Sequence, residues 1–155
     1  EPRQTVGLEC LWKGRLIIGI EDFVSQLERL DEIVAERNRQ FQFYRELLEA
    51  LPAQLQEVPN DVSSSVHLAV VRLADSNPEH HRFVFEGLRA AGIGVQLHYT
   101  PVHLQPYYRR LGFQEGEFLE AEAYATNAIS LPIYPGLQEL DQQRVVRTLA
   151  SLLAA

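Results

Sequence analysis

One stretch of this chain admits few readings. From about Asp22 to Leu51 the apolar residues fall at Phe23, Leu27, Leu30, Val34, Phe41, Tyr44, Leu48 and Leu51, in steps mostly of three and four. That is the period of an amphipathic helix. Glu28, Arg29, Glu32, Glu36, Arg39 and Glu46 take the opposite face. Asp22 is placed to cap the N-terminus, and Pro52, with no N–H to donate, closes the element. About thirty residues at 1.5 Å each reach roughly 45 Å. A helix of that length in a 155-residue chain serves as a spine or leans on something outside its own domain.

The segments around it are shorter. Val6–Trp12 and Leu16–Ile20, joined through Lys13-Gly14-Arg15, read as a β-hairpin or an irregular arm. Residues 52–62, punctuated by Pro52, Pro59 and Asn60-Asp61, read as a loop. The run 63–73 is β-branched and continuously apolar at its centre, which suits a buried strand. Asn77-Pro78 opens a helix over 78–91 with Phe83, Phe85, Leu88 and Ala91 inward, and Gly92 ends it. A strand follows over 93–99, with Val95, Leu97 and Tyr99 on one face. After a loop over 100–116 come a short helix (117–127), a strand (128–134) and a terminal helix (138–154) striped by Leu140, Val145, Val146, Leu149, Leu152 and Leu153. The sum is an α+β fold, about three core strands covered by helices, with a long N-terminal helix and a hairpin or arm before it. Its second sheet face, or one side of the long helix, is left for a partner.

Composition excludes several functions. Fourteen basic against 21 acidic side chains give a net charge of -7, the wrong sign for a nucleic acid or an anionic membrane as partner. No run approaches the ~20 apolar residues of a membrane span. Cys10 is the only cysteine, so no intrachain disulfide or cysteine-based zinc site forms, and a reducing, cytoplasmic setting fits. There is no methionine, which reads as a piece of a longer or processed product. Lys13 is the only lysine, so Schiff-base chemistry must use it or go without.

The densest chemistry lies between Val95 and Arg109. His98, Tyr99, Thr100, His103, Gln105, Tyr107, Tyr108 and Arg109 follow a strand end, with Pro101 and Pro106 stiffening the backbone. Donors mixed with aromatic faces suit a polar ring such as a sugar; the alternative is half-buried packing tyrosines and surface histidines. His98 and His103 lack the spacing of a metal pair, and no metal site is expected. His80-His81 opens a helix toward solvent, and His67 is read as a hydrogen-bonded structural histidine within a core strand. Glu115, Glu117, Glu120 and Glu122 read as a solvated helix face rather than acid–base chemistry. Ser63–Ser65 lack a nucleophile-elbow context, and Gly92-Ile93-Gly94 runs helix to strand, the wrong order for a dinucleotide loop.

Four blocks in order, SQLERLDEIVAERNRQFQFYRELL (25–48), HLAVVRL (67–73), GIGVQLHYTPVHLQPYYRRLGF (92–113) and AEAYATNAISLPIYPGLQELDQQRVV (121–146), resemble the C-terminal part of the DegT/DnrJ/EryC1/StrS sugar aminotransferases. The HYTPVHLQPYY and ISLPIYPGL segments are similar to the 4-aminotransferases of UDP-linked 4-keto-6-deoxy-N-acetylhexosamines, the pseudaminic-acid type. The resemblance implies the small domain of a fold-type I, pyridoxal-phosphate-dependent enzyme over residues 21–155, with residues 1–20 an arm outside the family pattern. It implies a homodimer, amino transfer from glutamate to a keto sugar, and a nucleotide-sugar pocket bordered by Gln96, His98, Tyr99, Thr100 and Pro101, with His103 and Tyr107 as second choices. It places the cofactor lysine, the aspartate on the pyridine nitrogen and the phosphate ligands in a large N-terminal domain. No catalytic or cofactor residue is therefore expected in this chain, which should be inactive alone. The alternative is an autonomous binding or dimerisation module that keeps the fold, its arm covering the surface a large domain would hide; an unrelated hydrolase is not supported.

Overall fold

A computed structural model describes residues 8–10, 16–18, 24–25, 27–59, 61–62, 64–74 and 76–155, the first two stretches by their backbone. Strands β1 (Leu8–Cys10) and β2 (Leu16–Ile18) pair antiparallel, Leu8 opposite Ile18 and Cys10 opposite Leu16, as the two apolar runs suggest. The Lys13-Gly14-Arg15 turn lies outside the described residues, as does Asp22.

Helix α1 spans Leu30–Leu48. Val24, Ser25, Leu27 and Glu28 are helical too, but a turn at Arg29 separates them from α1, so the uninterrupted helix is shorter than its periodicity predicts. The reason is packing. Val24, Leu27 and Leu30 are 46%, 52% and 49% exposed, so among the described residues their apolar sides are only about half covered. The docked half is anchored through Phe41, Tyr44 and Leu48. Tyr44 is fully buried and donates its hydroxyl to the Pro132 carbonyl at 2.9 Å, while burial above all, with Tyr134 and Asp141 nearby, pushes its pKa upward. Buried Gln40 donates to the Tyr134 carbonyl (3.0 Å) and its own carbonyl accepts from Gln142 (2.8 Å), which ties α1 to the terminal helix by amides.

The main sheet is antiparallel throughout, in the order β3-β4-β6-β5. It comprises β3 (Ala53–Leu55), β4 (Ala69–Leu73), β5 (Gln96–Leu97) and β6 (Ala128–Leu131). β3 lies inside the stretch read as a loop: three residues between two prolines offer little pattern, yet Ala53 and Leu55 both face the core. β4 starts later than the apolar run suggests because Val66 takes φ +42°, a conformation that β-branched residues resist at ~1–3 kcal/mol. Ser64 Oγ accepts from the Val66 N–H at 3.1 Å, and Asn38 of α1 holds the Ser64 carbonyl at 2.8 Å. His67 consequently sits ahead of the strand and is exposed, not the buried strand histidine that alternation predicts.

Helix α2 (Pro78–Ala90) is capped by the Asn77 side chain, which accepts from the His80 N–H at 2.8 Å. Its buried stripe is His81, Val84 and Leu88, with Phe85 beside it; Phe83 is 48% exposed. Leu88, Phe85 and Ala91 thus face the core as expected and Phe83 does not, while His81, expected in solvent, is buried with Nε2 3.0 Å from the Ala128 carbonyl. Gly92 at φ +76° ends the helix and lets the Ile93 N–H reach the Leu88 carbonyl at 3.0 Å. Beyond β5 come a 3-10 turn (Val102–Leu104), α3 (Pro106–Arg110), α4 (Leu119–Asn127), β6 and α5 (Glu139–Leu153). Leu140, read as part of α5's apolar stripe, is 73% exposed; Gln142 is buried there instead. The core lies on the sheet face carrying Ala53, Leu55, Val71, Leu73, Ile129 and Leu131.

Candidate substrate-binding face

Antiparallel register puts Val70 and Gln96 opposite Ser130, so the three share the sheet face turned away from that core. His98 is two residues beyond Gln96. Its Nε2 lies 3.1 Å from Ser130 Oγ, and its ring meets Tyr124 of α4 edge-on with centroids 5.1 Å apart. Arg72 of β4 lies over the other side of this group, 6.0 Å from the Tyr124 ring centroid. Burial holds the His98 imidazole below its ordinary pKa and raises that of Tyr124, against which Arg72 works. A neutral imidazole seated on a serine hydroxyl thus forms the floor.

The chain then leaves the sheet. Val95 is in the core and Leu97 pairs with core residue Ile129, as the alternation predicts, but β5 is a two-residue edge strand and Tyr99 beyond it is 91% exposed. Thr100 is exposed and Pro101 half-buried at the entry to the 3-10 turn. The Thr100 carbonyl accepts from Gln105 Nε2 at 3.1 Å, which closes the loop on itself. Tyr107 is exposed on α3, edge-on to Tyr108 at 5.3 Å, with the Arg110 guanidinium 6.0 Å from its ring. Gln96, His98, Tyr99, Thr100 and Pro101 thus follow one another along the ledge of chain that leaves β5, and Tyr107 follows on the next helix.

His103 is placed differently. It is buried, its ring tilted against that of Phe118 with centroids 4.7 Å apart, and its Nε2 is 2.8 Å from Glu122 Oε1. Glu122 accepts two further backbone bonds, from Gly116 at 2.9 Å and Phe118 at 3.3 Å. The Gly116 N–H foremost, with His103 and Phe118, holds the Glu122 carboxyl below its usual range against the opposing effect of desolvation. So Glu122 is not part of a merely solvated face; it pins the 3-10 turn and the turn before α4 together. Sequence reading missed Ser130, Tyr124 and Glu122. A single hydroxyl inside the apolar run AISLPI was the available signal for Ser130; Glu122 had none, since three neighbouring glutamates share its composition.

A cleft of about 520 Å³ is lined among others by Gln96, Ser130, His67, Tyr134 and Arg144; His98, Tyr99, Thr100, Pro101, His103 and Tyr107 do not line it. A wider groove of about 930 Å³ between α1 and β3 is lined by Gln42, Arg45, Glu46 and Gln54 and touches none of the loop's histidines or tyrosines. Among the described residues no three His, Cys, Asp or Glu side chains converge as a metal site would need. No described helix is long and apolar enough to cross a membrane. A pyridoxal cofactor supplies an aldehyde that condenses with a lysine amine. The described residues carry no lysine, so they do not fit that group.

The family model of the DegT/DnrJ/EryC1/StrS aminotransferases matches residues 23–150. A Geobacillus stearothermophilus protein named a pleiotropic regulatory protein is 35% identical over 125 residues, which are 78% of this chain and 32% of the relative. Spr1654 of Streptococcus pneumoniae in its apo form superposes with a TM-score of 0.80 at 24% identity, covering 84% of this chain and 33% of that one. Helicobacter pylori PseC, an aminotransferase involved in the biosynthesis of pseudoaminic acid, does so with a TM-score of 0.77 at 19% identity, covering 96% and 43%. The chain thus spans about a third of the curated relative it matches. With its α+β architecture and a family match over most of its length, this chain belongs to the DegT/DnrJ/EryC1/StrS aminotransferase family.

Proposed function

We propose that this chain is the small-domain part, residues 21–155, of a pyridoxal-phosphate-dependent nucleotide-sugar aminotransferase, and that it builds one wall of the sugar-nucleotide pocket. Gln96, His98, Tyr99, Thr100 and Pro101 form that wall, with Tyr107 beside it. The observation that carries this reading is the ledge itself: a 91% exposed tyrosine and adjacent donors on a backbone stiffened by prolines and fixed by the His98–Ser130 contact. Exposed aromatic faces beside hydrogen-bond donors take up flat or ring ligands at low ordering cost. The pseudaminic-acid type of substrate, a UDP-linked N-acetylhexosamine, rests on the likeness of the HYTPVHLQPYY segment and on what is said of PseC. His103 acts here as a buried support rather than a ligand contact.

Amino transfer needs a lysine amine on the cofactor, and Lys13, the chain's only one, stands in no cofactor-lysine motif. The proposed chain is therefore a non-catalytic component, working in the cytoplasm with a large domain and, as a homodimer, with a second copy. Val24, Leu27 and Leu30 supply the apolar surface for such a partner. Calorimetric titration with UDP-N-acetylglucosamine tests the pocket: saturable binding is expected, weakened at least ~10-fold in Tyr99→Ala, a loss of about 1.4 kcal/mol. Equal binding by the wild type and this variant would remove the ledge from the reading. The same exposed row also favours the second reading, an autonomous dimerisation module; a solution mass of twice the chain together with no sugar-nucleotide affinity would select it.

A further inference from the structure

The contact between Ser130 and His98 has a direction that the burial of Ser130 decides. Ser130 is 5% exposed and sits mid-strand in β6. Its hydroxyl has one partner among the described residues, His98 Nε2 at 3.1 Å. If the hydroxyl accepted from a protonated Nε2, its own proton would have no acceptor among the described residues, at a cost of up to ~1–3 kcal/mol in so covered a position. If it donates to Nε2, the hydroxyl is satisfied and the imidazole proton must reside on the other nitrogen. A free neutral imidazole side chain favours the proton on Nε2, so it takes a fixed donor on Nε2 to move the proton to Nδ1.

We infer that Ser130 is a positioning residue that fixes His98 with its proton on Nδ1, so that the ring presents an N–H donor to an oxygen of a bound ligand. The ring is held in place from a second side by Tyr124, edge-on at 5.1 Å. Among the described residues it meets Ser130 of β6 and Tyr124 of α4, and the Arg72 guanidinium of β4 lies 6.0 Å from the Tyr124 ring centroid. None is an anion that would draw a second proton onto the imidazole, and burial opposes its charging. A neutral donor of this kind distinguishes a hydroxyl or carbonyl oxygen from an ammonium, which would need an acceptor. The ligand class follows from the proposed pocket and rests on it; the tautomer does not.

The test is a long-range ¹H–¹⁵N correlation spectrum of the imidazoles of the whole labelled chain near neutral pH, His98 being assigned by its loss in His98→Asn. The expected pattern is Nδ1 protonated and Nε2 bare in the wild type. Ser130→Thr, which keeps a hydroxyl, should retain it, and Ser130→Ala should invert the ratio of the two tautomers. A wild-type spectrum with the proton on Nε2 overturns the assignment without any variant, even if Ser130→Ala does not fold. So does an unchanged pattern in a folded Ser130→Ala. Adding UDP-N-acetylglucosamine separates the two claims. A shifted Nδ1 proton resonance supports His98 as the ligand's donor, and binding that leaves it unmoved overturns that role. Absence of binding with the Nδ1–H tautomer present counts against the pocket reading while upholding the assignment.

Discussion

Glu122 shows how one carboxylate can organise a loop. It accepts from His103 and from two backbone N–H groups, and these hold its folded pKa below the ordinary carboxylate value. The sign follows from linkage. The unfolded chain takes up the proton more readily, so the stabilisation is complete above the unfolded carboxyl pKa of about 4.3 and is lost as pH falls through the lower folded value. Melting temperatures of wild type and Glu122→Gln should therefore differ most near pH 7 and converge as pH falls toward 3; a gap that stays constant would remove the charge from this role. Tyr44 makes a different kind of bond, neutral and buried. Tyr44→Phe keeps the packing but leaves the Pro132 carbonyl without its donor, and urea denaturation should report a loss of about 1 kcal/mol. Pro132 as the partner of Tyr44 was not legible beforehand, because a side-chain to backbone bond across 88 residues leaves no periodic trace.

Elements were legible where pattern and packing agree. The Asn77-Pro78 start and the Gly92 stop of α2 are local chemistry, and both occur as read. On α2 only Phe83 departs from the expected inward face: Phe85, Leu88 and Ala91 pack on the core, and the i, i+3, i+7 row of His81, Val84 and Leu88 holds the most buried positions. Asn77→Ala should cost about 1 kcal/mol through the lost cap. Leu88→Ala, in a fully buried position, should cost ~2–5 kcal/mol in chemical denaturation. On α1 and the residues before it the contrast is within one stripe. Leu48→Ala should fall in that same range, whereas the pair Leu27→Ala and Leu30→Ala should change the stability of the chain alone by under ~0.5 kcal/mol each, since both are half-exposed. A large loss there would mean that the helix start is packed in solution.

For the molecule as a whole, fold class and family were open to inspection because four blocks keep their order and the sheet-helix alternation survives in composition. The strand β3 and the floor of the ledge were not, since a three-residue edge strand and a serine–histidine contact 32 residues apart depend on tertiary assembly. What the proposed function asks of the chain is a pocket wall; what it lacks among its described residues is a lysine amine to carry a pyridoxal group. The direct measurement is to incubate the chain with pyridoxal phosphate, reduce with borohydride and determine the mass of its peptides. A component that depends on another domain for its lysine should return an unmodified peptide containing Lys13 and no stable cofactor absorbance. A stoichiometric pyridoxyl adduct on Lys13, formed with a stable visible band before reduction, would contradict it.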